Sequence, residues 1–383
     1  MDRKTILDGN GAAAWGARLS RVQVVPNFPV TPQTEIIENI AQWKANGEFP
    51  GEFVPVESEH SVMSAAVASQ ATGARTFTGS SSQGTLLMHE VLYIASGLRL
   101  PIVMVNVSRG LSAPITLWPD HNDILDQRDA GWLIFFCETN QEVLDSIIMA
   151  YKVCEDTRVM LPAFINMEGF FLSFTREPVI IPDQKKVDKF LPPYQPKVFL
   201  DPKKPMAEGI GVMAEYPYFR QQVHLAQKNA LNVIDEVQKD FAKIFRRKYE
   251  IIESFMMDDA ESAFIILGSN TTIAKAAVRN LRKKGKKMGL LRIRVFRPFP
   301  WDELKRLTKG LKAIGVIDQN LAPGSGGIVF NEVRSALHEM TCPISDFIIS
   351  LGGKPIAPKE FEEFGNFVID SIKTGKANVF FQD

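Results

Sequence analysis

The chain has 383 residues, 45% of them apolar, and its 44 Lys and Arg are matched by 44 Asp and Glu. That length reads as two domains or a large one with an appendage, and the neutral balance gives no electrostatic case for nucleic acid or an anionic membrane. No apolar run approaches a bilayer span, and the opening MDRKTILDGN lacks the apolar segment of a secretory signal, so a cytoplasmic protein is expected.

The first half alternates helix and strand signals. GAAAWGARLSR reads as a helix and VQVV as a short buried strand. TPQTEIIENIAQW is predicted as a helix capped by Thr31, with Pro32 where no N–H is needed. FVPV is the next strand, and SEHSVMSAAVASQATG a helix stopped at Gly73. RTFTG is a strand, GTLLMHEVLYIASG a helix, and PIVMVNV an apolar run of the kind buried on both faces of a parallel sheet. From 179 to 217 proline and lysine thicken, which reads as an extended, surface-wrapping arm. A long polar helix follows over 220–249.

A second α/β region begins near Ala260 with the strand SAFIILG. A helix capped by Thr271 or Thr272 comes next, then the strand MGLLRIRVF and the helix PWDELKRLTKG. The strand KAIGVID, the helix GGIVFNEVRSALHEM and a last strand in ISDFIISLGG complete it. Alternating units of this kind imply a parallel sheet with helices on both sides, binding ligands at the C-terminal ends of its strands.

The loops at those ends carry the unusual chemistry. The Gly/Ser loop TGSSSQGT could hold an anion or be a plain tight turn. Arg109, just after a buried strand, suits a small carboxylate because its fork binds both oxygens; an ordinary ion pair explains it equally well. The acids of WPDHNDILDQRDAGW fit neither a calcium loop nor a zinc helix and read as a polar loop and helix cap. LRKKGKK reads as a solvated helix end and GSGG as a turn. Taken alone, Glu59 is an acid complementing the dipole at a helix start, and Glu57 a strand-end or surface acid. Cys137, Cys154 and Cys342 are too scattered for a disulfide framework, a zinc site or a cluster.

Taken together and in order, NFPVTPQTE, VPVESEHSVMSAAVASQATGARTFTGSSSQGTLLMHE, LPIVMVNVSRGLSAP and DHNDILDQRDAGW resemble the alpha subunits of multi-subunit 2-oxoacid:ferredoxin oxidoreductases, nearest the pyruvate branch. The likeness continues through DDAESAFIILGS, RVFRPFP and ISLGG. It implies an α/β fold: a pyrimidine-type thiamine diphosphate parallel-sheet domain over 1–255, followed by a transketolase C-terminal-like α/β domain over 256–383. It implies oxidative decarboxylation of a 2-oxoacid to acyl-CoA and CO2, with electrons passed to ferredoxin. Glu59 would be the catalytic, cofactor-contacting carboxylate, and Thr31 and Arg109 would hold the substrate carboxylate.

No G-D-G…N motif and no cysteine array are present. The resemblance therefore implies a beta subunit for the diphosphate and Mg²⁺, and gamma and delta subunits or fused equivalents for iron–sulfur clusters. The active site would lie at the alpha–beta interface, with coenzyme A as co-substrate. RGLSAP is of the pyruvate type, and Thr31 stands where oxalate-cleaving relatives carry arginine. Asn27, Gln33 and TGSSSQGT depart from the family pattern beside the pocket. Branched-chain or aryl 2-oxoacids such as phenylglyoxylate thus stay open, as do NAD through a flavin subunit as acceptor and a non-catalytic scaffold role.

Overall fold

The computed structural model describes residues 1–207, 209, 211 and 213–382. The first sheet is built on Val103–Ser108, buried throughout as its apolar run predicts. Phe77–Ser80 pairs with it on one side and Ala163–Glu168 on the other, and Leu133–Phe136 lies beyond, all parallel. The parallel pair Val24–Asn27 and Glu52–Pro55 joins the other edge through a bridge from Val24 to Thr76.

Helix Glu59–Ala71 starts where the sequence predicts, with Ser58 as N-cap, and the chain leaves it through Gly73 at φ +89°. Two predicted caps fail. Helix Thr34–Ala45 starts after Gln33, not at Thr31; residues 31–33 make a turn, and the Thr31–Pro32 peptide is cis. Helix Thr271–Lys283 follows Asn270 without a side-chain cap, because the Thr272 hydroxyl instead donates to Glu138 Oε1 at 2.7 Å.

The arm predicted over 179–217 is only partly extended surface chain. It opens in strand Glu177–Ile181, paired antiparallel with Arg3–Leu7, and continues in helix Gln184–Phe190. Residues 208, 210 and 212 of that arm lie outside the described residues. The long helix runs Tyr216–Phe245.

The second sheet has the order Val379–Phe381, Ile344–Ile348, Ala313–Asp318, Ser262–Ile266, Met288–Ile293, Ile252–Phe255, parallel except for the last strand. Helix Pro358–Thr374 and strand Val379–Phe381 come after the strand expected to be last. The run MGLLRIRVF is divided between sheets. Met288–Ile293 lies in the second, while Val295–Arg297 adds antiparallel to Leu133–Phe136 at the edge of the first.

Buried charges cross the same seam. Glu142 takes hydrogen bonds from Arg292 at 3.0 Å and Arg294 at 2.6 Å, and Glu138 takes one from Lys275 at 2.7 Å. Burial alone would raise the Glu142 carboxyl, but the two guanidiniums hold it below the usual carboxylate range.

Candidate active site

The C-terminal ends of the first sheet's strands meet at one edge. Glu59 opens its helix there as a residue only 9% exposed, and its carboxylate takes no hydrogen bond from the described residues. Glu57 is exposed and accepts from the Ser61 hydroxyl, as its surface reading predicts. The loop after Phe77–Ser80 runs beneath Glu59 and into the short helix Gln83–Leu87. A Cβ at Gly84 would collide with Glu59 Oε1 and lie 2.6 Å from Ser80 Oγ. Glycine here is what gives the carboxylate its space. The buried hydroxyls of Ser80 and Ser81 have no partner among the described residues.

Arg109 follows Val103–Ser108 and is half-buried. Its Nη1 donates to the Thr31 carbonyl at 2.7 Å and its Nη2 to Gln83 Oε1 at 3.1 Å; Nε is buried without a partner. Burial lowers its pKa, while the charges of Asp123 and Glu59 oppose that. Thr31 and Arg109 are therefore in contact, through the threonine's carbonyl rather than its hydroxyl, and Glu59 shares their field.

Gln33 does not line the opening. It is buried, and its amide donates to Phe28 O at 2.9 Å and Gly79 O at 3.1 Å, fastening the Thr31 turn to the neighbouring strand. Asn10 adds a bond to Pro32 O at 2.9 Å.

Asp123 escaped the sequence reading as a site residue. It is fully buried. Its Oδ2 accepts from Ser82 N at 2.9 Å and Arg109 N at 3.1 Å, and its Oδ1 from Ile124 N at 2.7 Å and Ser108 Oγ at 3.1 Å. Burial raises its carboxyl to about 6 in spite of those donors. Ser82 sits at φ +53°, a strained value for serine, and the carboxylate holds its N–H there. The only signal in the sequence is an acid placed against the apolar pair Ile124–Leu125.

Neighbours of Asp123 in that acidic segment reach the second sheet's loops. His121 N donates to Gln319 O at 2.7 Å, and Asn122 exchanges bonds with Leu321 at 2.7 and 3.1 Å. His121 Nε2 lies 2.9 Å from Glu168 Oε1, which also accepts from Ser269 N at 2.9 Å. The polar, hydrogen-bonded loop expected for these residues is what they form.

Residues 15–239 match the family described as pyruvate flavodoxin/ferredoxin oxidoreductase, thiamine diP-bdg, and residues 260–361 match pyruvate:ferredoxin oxidoreductase core domain II. The chain belongs to this family. It is an alpha subunit of the 2-oxoacid:ferredoxin oxidoreductase type, and an oxidoreductase component. It is 45% identical over 380 residues to pyruvate synthase subunit PorA of Pyrococcus abyssi, covering 98% of this chain and 96% of that one. It is 44% identical over 378 residues to ketoisovalerate oxidoreductase subunit VorA of Pyrococcus horikoshii, covering 97% and 95%.

Among solved structures, a 2-oxoglutarate:ferredoxin oxidoreductase from Magnetococcus marinus superposes with TM-score 0.74 at 16% identity, over 96% of this chain and 65% of that one. A split-gene transketolase does so with TM-score 0.57 at 11% identity, over 95% and 98%. These support the expected fold, a thiamine-type parallel-sheet domain followed by a transketolase-like α/β domain.

The residues present fit the pyrimidine half of thiamine diphosphate. A sheltered carboxylate with no hydrogen bond from the described residues stands over a glycine, beside two partnerless serine hydroxyls.

Proposed function

We propose that this chain contributes Glu59, Arg109 and Thr31 to a thiamine diphosphate site completed by a beta subunit. The reaction is the oxidative decarboxylation of a 2-oxoacid, pyruvate first, to acyl-CoA and CO2. The observation that carries this is the Glu59 carboxylate, sheltered and without a hydrogen bond from the described residues, in one field with Arg109. Thiamine diphosphate, when bound, supplies carbanion stabilisation. Glu59 would hold the aminopyrimidine ring through a hydrogen bond to its carboxyl group. Arg109, whose terminal nitrogens keep N–H groups beyond the bonds to Thr31 and Gln83, offers a charged donor to the 2-oxoacid carboxylate, and the exposed Thr31 hydroxyl offers a neutral one.

The beta subunit would bind the diphosphate through Mg²⁺, and gamma and delta subunits would carry the iron–sulfur clusters to ferredoxin, with coenzyme A taking the acyl group. Three scattered cysteines, two of them fully buried, support placing the clusters elsewhere. No described helix is long and apolar enough to cross a membrane, which is consistent with a cytoplasmic complex. The division into two domains would fall close to residues 250–255, where the second sheet's edge strand begins. The near-equal identity to a VorA subunit supports a second reading, a branched-chain 2-oxoacid.

The test is the reconstituted complex carrying Glu59→Gln. Turnover should fall by orders of magnitude with assembly intact; unchanged turnover would sink the proposal. Assaying the wild-type complex against pyruvate, 2-oxoisovalerate and phenylglyoxylate decides the substrate.

A further inference from the structure

We propose that Asp123 is a positioning residue, whose carboxylate holds the Ser82–Gln83 turn and the Arg109 strand end in register so that the guanidinium meets the 2-oxoacid carboxylate. This rests on the substrate role given to Arg109 above.

A single oxygen, Oδ2, bridges two backbone N–H groups that belong to different loops, Ser82 at 2.9 Å and Arg109 at 3.1 Å. Ser82 precedes Gln83, whose Oε1 accepts from Arg109 Nη2, and Gly84, whose missing side chain makes room for Glu59. The same oxygen therefore sets the root of the Arg109 side chain and the turn that receives its tip. One carboxylate thus fixes the root of the arginine and the turn that takes one of its two tip bonds, the other going to the Thr31 carbonyl, and Glu59 lies over the next residue along.

The anchor is itself braced. The Ser108 hydroxyl lies 3.1 Å from Oδ1 and 2.7 Å from Asn166 Oδ1, its one proton serving either, and Asn166 Oδ1 takes a bond from Asn106 at 2.9 Å. Asn106 in turn accepts from Thr85 Oγ1 at 2.7 Å, on the same short helix as Gly84. The network thus closes on the loop it began with. On its other side the segment carrying Asp123 is tied to the second sheet's loops through His121 and Asn122. A shift of those loops would reach Arg109 through this carboxylate.

An amide at position 123 cannot reproduce this. It has one acceptor oxygen where the carboxylate faces donors on both. Either the two-loop bridge or the Ile124 N–H is left facing an N–H.

The experiment is a double-mutant cycle in the reconstituted complex, reading kcat and KM for the 2-oxoacid. Asp126→Asn is the control, on the same short segment but outside these bonds. Asp123→Asn should raise KM at least about 10-fold over the control, and less than about 2-fold when Arg109 is already alanine. An equal KM effect in both backgrounds, or a KM within about 2-fold of the control, overturns the proposal while leaving the Arg109 reading intact. If Arg109→Ala alone leaves KM unchanged, the substrate role of Arg109 fails and the positioning role falls with it. Should Asp123→Asn not assemble, Ser108→Ala replaces it. That variant should give a KM rise of about 3-fold, again lost in the Arg109→Ala background, and additivity there overturns the proposal equally.

Discussion

At the scale of single residues, the site is a balance between burial and charge. Asp123 is raised to about 6 by burial, with Asp120 adding to it and the Ser82 and Arg109 N–H groups opposing. Its folded-state pKa therefore lies above the unfolded value. The associated stability is fully present below pH 3.8 and is lost as pH rises through about 6. At neutral pH the ionised anchor costs the fold about 3 kcal/mol. Loss of the charge should in turn weaken the acceptor that holds Ser82 and Arg109. The kcat/KM of the complex is expected to fall with one proton as pH drops through about 6, and this acid limb should vanish in Asp123→Asn. A profile of the variant that keeps the limb would assign it to another group.

At the scale of elements, Gly84, the second residue of helix Gln83–Leu87, decides whether the Glu59 carboxylate has a place to lie. In Gly84→Ala the new methyl meets the far end of the Glu59 side chain and the Ser80 hydroxyl, so the helix need not move but the carboxylate must. Turnover should drop about 10- to 100-fold, as misplacement by an ångström does, with the melting temperature and subunit assembly unchanged. Full turnover in that variant would show that Glu59 works from a different position.

The elements themselves were largely legible in the sequence. The period of apolar residues and the helix-start residues locate Glu59, and the unbroken run before Arg109 locates its strand end. What sequence could not give was the use of individual polar side chains. Thr31 and Thr272 look like caps, but the turn over residues 31–33 takes one away from its helix and Glu138 recruits the other. Gln33 looks like a pocket residue because it departs from the family pattern, yet it is buried and its amide N–H groups go to two carbonyls behind the turn. Asp123 is invisible because its partners lie 41 and 14 residues away. No local rule connects them.

At the scale of the whole molecule, the two sheets are joined by buried charge. Removing Glu142 as Glu142→Ala would leave Arg294 in the interior without a paired carboxylate among the described residues, while Arg292 keeps Glu253 and Glu138; breaking such a group costs about 3–5 kcal/mol. Urea unfolding should show that loss, and a change below about 1 kcal/mol would mean that water reaches the seam. Because the two arginines depress the Glu142 pKa, its contribution is present above about pH 4.5, the ordinary Glu value, and is lost as pH falls through the lower folded-state value. The sequence hides this seam because MGLLRIRVF reads as one strand; only the pairing shows that its two halves serve different sheets.

That divided run bears on how the protein is made. The edge of the first sheet at Leu133–Phe136 is closed by Val295–Arg297, which leave the ribosome only after the long helix Tyr216–Phe245 and the start of the second sheet. Until then the nascent chain carries a fully apolar strand, Leu-Ile-Phe-Phe, with one side unpaired. Open apolar edges of this kind invite pairing with other chains. The interval between synthesis of residue 136 and residue 297 is therefore one in which this edge lies open to pairing with other chains, until a strand continuous with the second sheet closes it.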